Sequence, residues 1–166
     1  MTEKATNYSR RTVVRTVGTM AATVGLAGCI GGTGTNGGGT KDPDESYVED
    51  EPDYGGWFEG ANNYNGTVDR REQDEVTVQV GAGSRGMAFA PASVMVSSGT
   101  TIVWEWTGRG SSHNVAARGG TFKSEFTGSE GHTFEYTLEN SGIYKYVCEP
   151  HESSGMKGAV VVDESE

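Results

Sequence analysis

The run Cys148-Glu149-Pro150-His151-Glu152-Ser153-Ser154-Gly155-Met156 closes an aromatic, strand-like segment and dictates what the rest of the chain must do. It carries a thiol, an imidazole and a thioether in the spacing C-x2-H-x4-M, and a second imidazole, His113, stands 35 residues before the cysteine. For these side chains to meet, the fold must bring the end of one strand, the loop after it and a distant strand end to one place. Two histidines, one thiolate and a weak axial methionine form the donor set of blue-copper electron-transfer sites. Soft sulfur favours Cu(I), imidazole accommodates both oxidation states, and the compromise geometry changes little when an electron arrives. His113, Cys148, His151 and Met156 are therefore the candidate ligands of one copper cycling between Cu(I) and Cu(II). Met87 and Met95 lack the loop spacing, and His132, at the start of a strand, reads as structural.

The surrounding sequence reads as short strands. Glu75-Val76-Thr77-Val78-Gln79-Val80 alternates with period two, the pattern of a half-buried strand. Stretches 94–96 and 101–106 follow, divided by Ser97-Ser98-Gly99, and Ile102, Trp104 and Trp106 share one face. The polar loop 107–112 then delivers His113 to the end of the sheet. Residues 122–126 read as an irregular strand or a helical turn. The stretch 132–138 alternates again with Phe134, Tyr136 and Leu138 inward, and in 143–148 Tyr144, Tyr146 and Cys148 fall on one side. The strand that packs the core thus also aims the thiol. With 158–162 as a last strand and no convincing helix, seven or eight strands predict an antiparallel all-β sandwich.

The C-x2-H-x4-M run resembles the copper-binding loop of the plastocyanins, and Ser112-His113-Asn114-Val115 is similar to that family's first-ligand segment. With Asp53-Tyr54-Gly55-Gly56-Trp57-Phe58 and the acidic composition, the chain resembles the halocyanins, membrane-bound blue-copper proteins of halophilic archaea, over residues 53–163. That resemblance implies a cupredoxin-like Greek-key β-sandwich with the metal at one end. It implies that Asn114 ties the two ligand segments together by hydrogen bonds and that His151, near the surface, is the electron exit. It also sets residues 87–91 beside the copper as an apolar docking rim, and places the aromatic stretch 54–64 inside the domain, over an edge of the core.

Charge bears on partners. The chain carries −10, and without residues 1–28 it holds nine basic against 22 acidic residues, or −13. Nucleic acid is excluded, because phosphate binding needs a basic footprint. In molar salt the Debye length falls to about 3 Å, so the acidity reads as solubilisation rather than steering. With 26 glycines and 34% apolar residues the core must be lean. The two cysteines belong to different parts of the chain, so no disulfide within the domain is expected.

The first 28 residues read as a leader. Ser9-Arg10-Arg11-Thr12-Val13-Val14-Arg15 has the form of a twin-arginine export signal, and the apolar stretch 17–27, about 16 Å as a helix, is far shorter than a ~30 Å bilayer core. Leu26-Ala27-Gly28-Cys29 resembles a lipobox, with Cys29 as the lipid acceptor. Residues 29–52, rich in Gly, Thr and Asn and then acidic, are expected to be a flexible linker with an r.m.s. reach of about 25 Å. The metal domain is expected to occupy 53–166.

These features favour a monomeric one-electron shuttle, not an enzyme, tethered to the extracytoplasmic face of the membrane and serving membrane redox proteins of a respiratory chain as donor and acceptor. An oxidase or reductase would need a substrate-binding copper with its own histidines, and only His132 is unassigned. Copper storage or delivery is the alternative: open Met- or Cys-rich sites suit release, a closed strand-end site suits retention.

Overall fold

A computed structural model describes residues 41–163, and the expected leader with Cys29 lies outside the described residues. Two sheets face one another. One contains β1 (Val68–Asp69), β4 (Ser93–Ser97), β9 (Lys157–Asp163), β8 (Gly142–Val147) and β6 (Ala116–Ala117), in the order β1-β4-β9-β8-β6. The other contains β3 (Ala88–Ala90), β2 (Glu75–Ala82), β5 (Thr100–Trp106) and β7 (Thr133–Leu138), in the order β3-β2-β5-β7. A six-residue 3-10 helix, Glu149–Ser154, follows β8. The all-β, cupredoxin-like sandwich is the architecture expected; β1 and β6 raise the strands among the described residues to nine.

The alternating strands place their apolar faces inward. Val76, Val78 and Val80 of β2 and Ile102, Trp104 and Trp106 of β5 join Phe89, Val94, Val96, Tyr146, Val160 and Val162 in one buried cluster that draws on both sheets. Trp104 is at its centre, edge-on to Tyr146 at 5.5 Å and tilted against Phe122 at 4.9 Å. On β7 the inward face is less covered: Leu138 is buried, whereas Phe134 and Tyr136 are half-buried.

The pairing departs from the antiparallel expectation. β2 runs parallel to β5, and β4 runs parallel to both β1 and β9. The reason lies at Ser98-Gly99. A short Gly turn between two strands suggests a hairpin, but this one passes the chain from β4 in one sheet to β5 in the other. Residues 122–126 form no strand; they are held by single bridges at Ala116–Lys123 and His113–Thr127, with Phe122 buried and Phe126 exposed.

The aromatic stretch covers a face rather than an edge. Tyr54, Trp57, Phe58 and Tyr64 pack with Met95 on Ala159 and Val161, the outward residues of β9. Phe58 and Tyr64 stack at 3.9 Å, and the Trp57 indole N–H donates to the Gly158 carbonyl at 3.0 Å. β9 is therefore buried on both sides, which accounts for its unbroken apolar run.

The acidic end of the expected linker is docked on the sandwich. Val48 N–H donates to the Thr67 carbonyl at 3.0 Å, Asp69 N–H to the Ser46 carbonyl at 2.8 Å, and Tyr47 bridges Val68. Glu51 accepts both the Thr67 N–H and its hydroxyl at 2.7 Å. Tyr47 and Val48 are the apolar pair in an otherwise polar stretch, and burying them fixes it in place. The packed domain thus reaches back from residue 53 to at least Ser46. Among the described residues no helix is long and apolar enough to cross a membrane.

Candidate metal centre

Alternation along β8 turns Tyr146 and Cys148 into the sandwich, and the Cys148 side chain is fully buried. The chain then folds back in one tight loop. His151 N–H donates to the Cys148 carbonyl at 3.0 Å, Met156 N–H to the His151 carbonyl, and Cys148 N–H to the Met156 carbonyl, both at 3.2 Å. Pro150 stands in the first turn of the 3-10 helix, where no backbone donor is needed, and Gly155 ends it at φ 87°, a left-handed conformation that suits glycine. Met156 comes back beside Cys148, fully buried in the main core cluster.

His113 arrives from the other sheet. Its backbone exchanges hydrogen bonds with Thr127 at 2.9 and 3.0 Å, and the Trp106 indole donates to its carbonyl at 3.3 Å. The loop before it must pass against the imidazole. Gly110 has φ 81°, and a Cβ there would stand 2.9 Å from His113 Nε2. The imidazole Nε2–H donates to the Arg109 carbonyl at 2.8 Å, which leaves the lone pair on Nδ1.

That lone pair faces the other two donors. His113 Nδ1 is 3.1 Å from His151 Nδ1 and 3.5 Å from Cys148 Sγ, and His151 Nδ1 is 3.4 Å from the same sulfur. These three residues are the metal-capable cluster among the described residues. The point equidistant from the three atoms lies about 1.9 Å from each, close to the ~2.0–2.3 Å of metal bonds to imidazole nitrogen and thiolate sulfur. The donor set therefore fits a metal ion.

Electrostatics point the same way. Burial pushes the Cys148 thiol above its ordinary pKa, with the Glu149 charge adding to the effect and backbone N–H groups of Asn114 and His151 opposing it. A buried thiolate needs a cation beside it. Burial also holds His113 below the usual histidine value, against the upward pull of the Arg109 carbonyl, so near neutrality it presents the ligating, neutral form. His113 is 1% exposed, whereas His151 is half-buried and reaches the surface.

Asn114, fully buried, joins the two ligand segments: its Oδ1 accepts the Glu149 N–H at 2.9 Å and its Nδ2 donates to Glu149 Oε2 at 2.7 Å. Met95 is elsewhere, on the outer aromatic cluster, and the exposed His132 stands edge-on to Trp106 at 5.0 Å. Two contributors gave no clear signal in the sequence. Asn62 Nδ2 donates to the Met87 and Ser154 carbonyls, both at 2.8 Å, stapling the ligand loop to the segment beside it. Lys123 holds Glu149 Oε1 at 2.8 Å.

The family profile for copper binding proteins of the plastocyanin/azurin family matches residues 76–163. The chain is 42% identical to halocyanin of Natronomonas pharaonis over 161 residues, covering 95% of this chain and 99% of that one. It is 35% identical to plastocyanin of Vicia faba over 100 residues, covering 53% of this chain and 100% of the plastocyanin. Among solved structures, oxidised plastocyanin from Dryopteris crassirhizoma aligns with a TM-score of 0.45 and 22% identity, over 53% of this chain and all of that one. The matched profile, the near full-length likeness to a halocyanin and the sandwich that carries the donors agree: the chain belongs to the plastocyanin/azurin family of copper-binding proteins.

Proposed function

We propose that this copper protein is a one-electron carrier in which His113, Cys148 and His151 hold the metal and Met156 is its weak axial donor. The observation that carries the reading is the buried triangle of two imidazole nitrogens and one sulfur, with sides of 3.1 to 3.5 Å. When bound, copper supplies a single Cu(II)/Cu(I) step. The chain does the rest. Its Arg109 carbonyl fixes the His113 tautomer, Asn114 keeps the two ligand segments in register, and the closed 148–156 loop excludes water from the sulfur. Rigid donors suited to both oxidation states keep reorganisation small, which favours fast transfer. The half-buried His151 is the exit to a partner; of the expected rim 87–91, Ala88 and Phe89 are buried in the core, which leaves half-buried Met87, tied to the ligand loop through Asn62, as the apolar residue on that side.

A substrate-turnover centre would call for further imidazoles, and the third histidine of the chain is engaged with Trp106. Copper storage or delivery is the competing reading. Full burial of Cys148 and Met156 favours retention, and slow loss of copper to a strong chelator would separate carrier from donor.

The tether is part of the proposal. Export by the twin-arginine signal and lipidation at Cys29 would fix the protein to the outer face of the membrane, since two acyl chains at about 0.8 kcal/mol per buried CH2 anchor stably. Its partners are then membrane redox proteins of a respiratory chain, served by the monomer. Membrane fractionation of a Cys29→Ser variant tests the anchor; retention in the membrane removes it.

The central test is the visible and EPR spectrum of the chain loaded with Cu(II), beside a Cys148→Ser control. An intense blue band with small copper hyperfine splitting, lost in the control, supports the reading. A pale protein with ordinary tetragonal copper signals overturns it.

A further inference from the structure

We infer that the segment 57–62 is a brace for the axial methionine: Trp57 and Asn62 grip the ligand loop on either side of Met156 and set how closely its sulfur approaches the metal. The inference rests on the copper reading above. Asn62 takes the side before the methionine. Its backbone N–H donates to the Gly155 carbonyl at 2.7 Å, and its Nδ2 to the Ser154 carbonyl at 2.8 Å. The same Nδ2 also donates to the Met87 carbonyl at 2.8 Å. Two carbonyls call for a donor, so only one orientation of the amide fits. Trp57 takes the side after the methionine. Its indole N–H donates to the Gly158 carbonyl at 3.0 Å, and its ring centre is 5.5 Å from the Lys157 ammonium. That ammonium reaches the Trp57 and Glu59 carbonyls at 3.5 and 3.4 Å.

The contact is close as well as polar. A Cβ at Gly155 would stand 2.3 Å from the Gly60 carbonyl oxygen, so the two backbones meet because the loop has a glycine there. Within its own loop Met156 has longer bonds, from its N–H to the His151 carbonyl and from Cys148 N–H to its carbonyl, both at 3.2 Å. A thioether axial bond is long and weak. It cannot pull its own ligand into place, so the backbone around Met156 must, and the bonds of 2.7 and 2.8 Å on that backbone come from Asn62.

Trp57 and Asn62 both precede residues 76–163, the stretch that the family profile matches, so the brace is an addition to the copper sandwich. Residues 60–62 press the loop inward. Released, the loop relaxes outward and the axial donor withdraws, which costs Cu(II) more than Cu(I) and raises the potential. Asn63 is the matched control. It is next in the chain, and its Nδ2 donates to the Phe89 carbonyl at 3.0 Å, away from the ligand loop. Its φ of 65° makes glycine the substitution that removes the side chain without strain.

The experiment compares the full chain with Asn62→Ala, Trp57→Phe and Asn63→Gly in two states. Without metal, amide exchange at Gly155 and Met156 should quicken about 10-fold in N62A, the effect of losing the two side-chain bonds, and stay at the wild-type rate in N63G. Loaded with Cu(II), N62A and W57F should remain blue with a raised voltammetric midpoint and an altered EPR rhombicity, while N63G keeps the wild-type values. W57F retains ring packing and loses the N–H, so it carries the test if N62A fails to fold. A wild-type midpoint and EPR spectrum in both N62A and W57F overturns the brace, as does a lowered midpoint. An equal shift in N63G also overturns it, because general loosening would then be the cause. A wild-type chain that is not blue overturns the copper reading instead, and exchange in the metal-free chain still reports whether the loop is braced.

Discussion

Gly158 is the cross-strand partner of Tyr146, and its missing side chain lets the Tyr146 ring lie across β9. A Cβ at Gly158 would fall 2.6 Å from ring atom Cε2. The ring fills that space and packs edge-on against Phe89 at 4.8 Å and Trp104 at 5.5 Å. Tyr146 lies two residues before Cys148 on the same side of β8, so its seating decides where the thiol points.

Gly158→Ala should destabilise the protein by about 1–3 kcal/mol, as overpacking does in a filled core. The loss is read from urea or guanidinium midpoints at unchanged m-value. Because β8 and β9 frame the ligand loop, the copper-loaded variant should also show a displaced charge-transfer band.

Tyr54 holds a buried polar triad on the outer face of the five-stranded sheet. Its hydroxyl is 2.7 Å from both Thr67 Oγ1 and Ser93 Oγ, and burial raises its pKa, with the two hydroxyl neighbours opposing the shift. Tyr54→Phe leaves those hydroxyls short of a partner and should cost about 1–3 kcal/mol. Hydrogen exchange should accelerate at Val48 and Thr67, which the docked segment protects, and not on β5.

Acid should weaken the Arg71 link that joins the end of β1 to the end of β9 across β4. Hydrogen bonds from Arg71 hold Asp69 below the usual carboxylate range, and Arg71 also reaches Asp163 at 2.9 Å. A depressed folded pKa gives stability that is present above the unfolded value near 4 and lost as pH falls through the folded one. The pair is partly exposed, so its contribution is at most about 1 kcal/mol. Thermal melts at pH 7 and pH 3 should differ less for Asp69→Asn than for the wild type.

Met156→Gln should lower the midpoint of the loaded protein while the blue colour persists, because an amide oxygen is a harder donor than a thioether and favours Cu(II). An unchanged midpoint removes Met156 from the axial position. The same change at Met95, which packs on the outer aromatic cluster, should leave the midpoint where it is.

What the sequence revealed and what it hid have separate physical causes. Cys148, His151 and Met156 stand within one loop, so local spacing alone reports their chemistry, and period-two alternation marks β2, where Val76, Val78 and Val80 are buried between exposed neighbours. Alternation identifies a face but not a partner, which is why the parallel pairing of β2 with β5 and β4 with β9 was invisible. The unbroken apolar run of β9 requires a cover on each side, and the second cover, Tyr54 to Tyr64, is about a hundred residues away. β1 and β6 are two residues each, too short for any periodicity. The docking of 46–52 depends on Glu51 meeting Thr67 in space, a contact between two polar residues that composition reads as linker.

The place of β9 in its sheet also sets an order in time. It is the last described strand in the chain and the middle one in the sheet, with β1 and β4 on one side and β8 and β6 on the other. During synthesis those four strands exist first, in two parts with nothing to join them, and such non-local pairing is slow to form. All four proposed ligands emerge before β9, but the frame that draws Met156 back to Cys148 does not. A nascent chain therefore holds the donors without the centre, and a metal captured at that stage would meet a flexible peptide rather than the finished site.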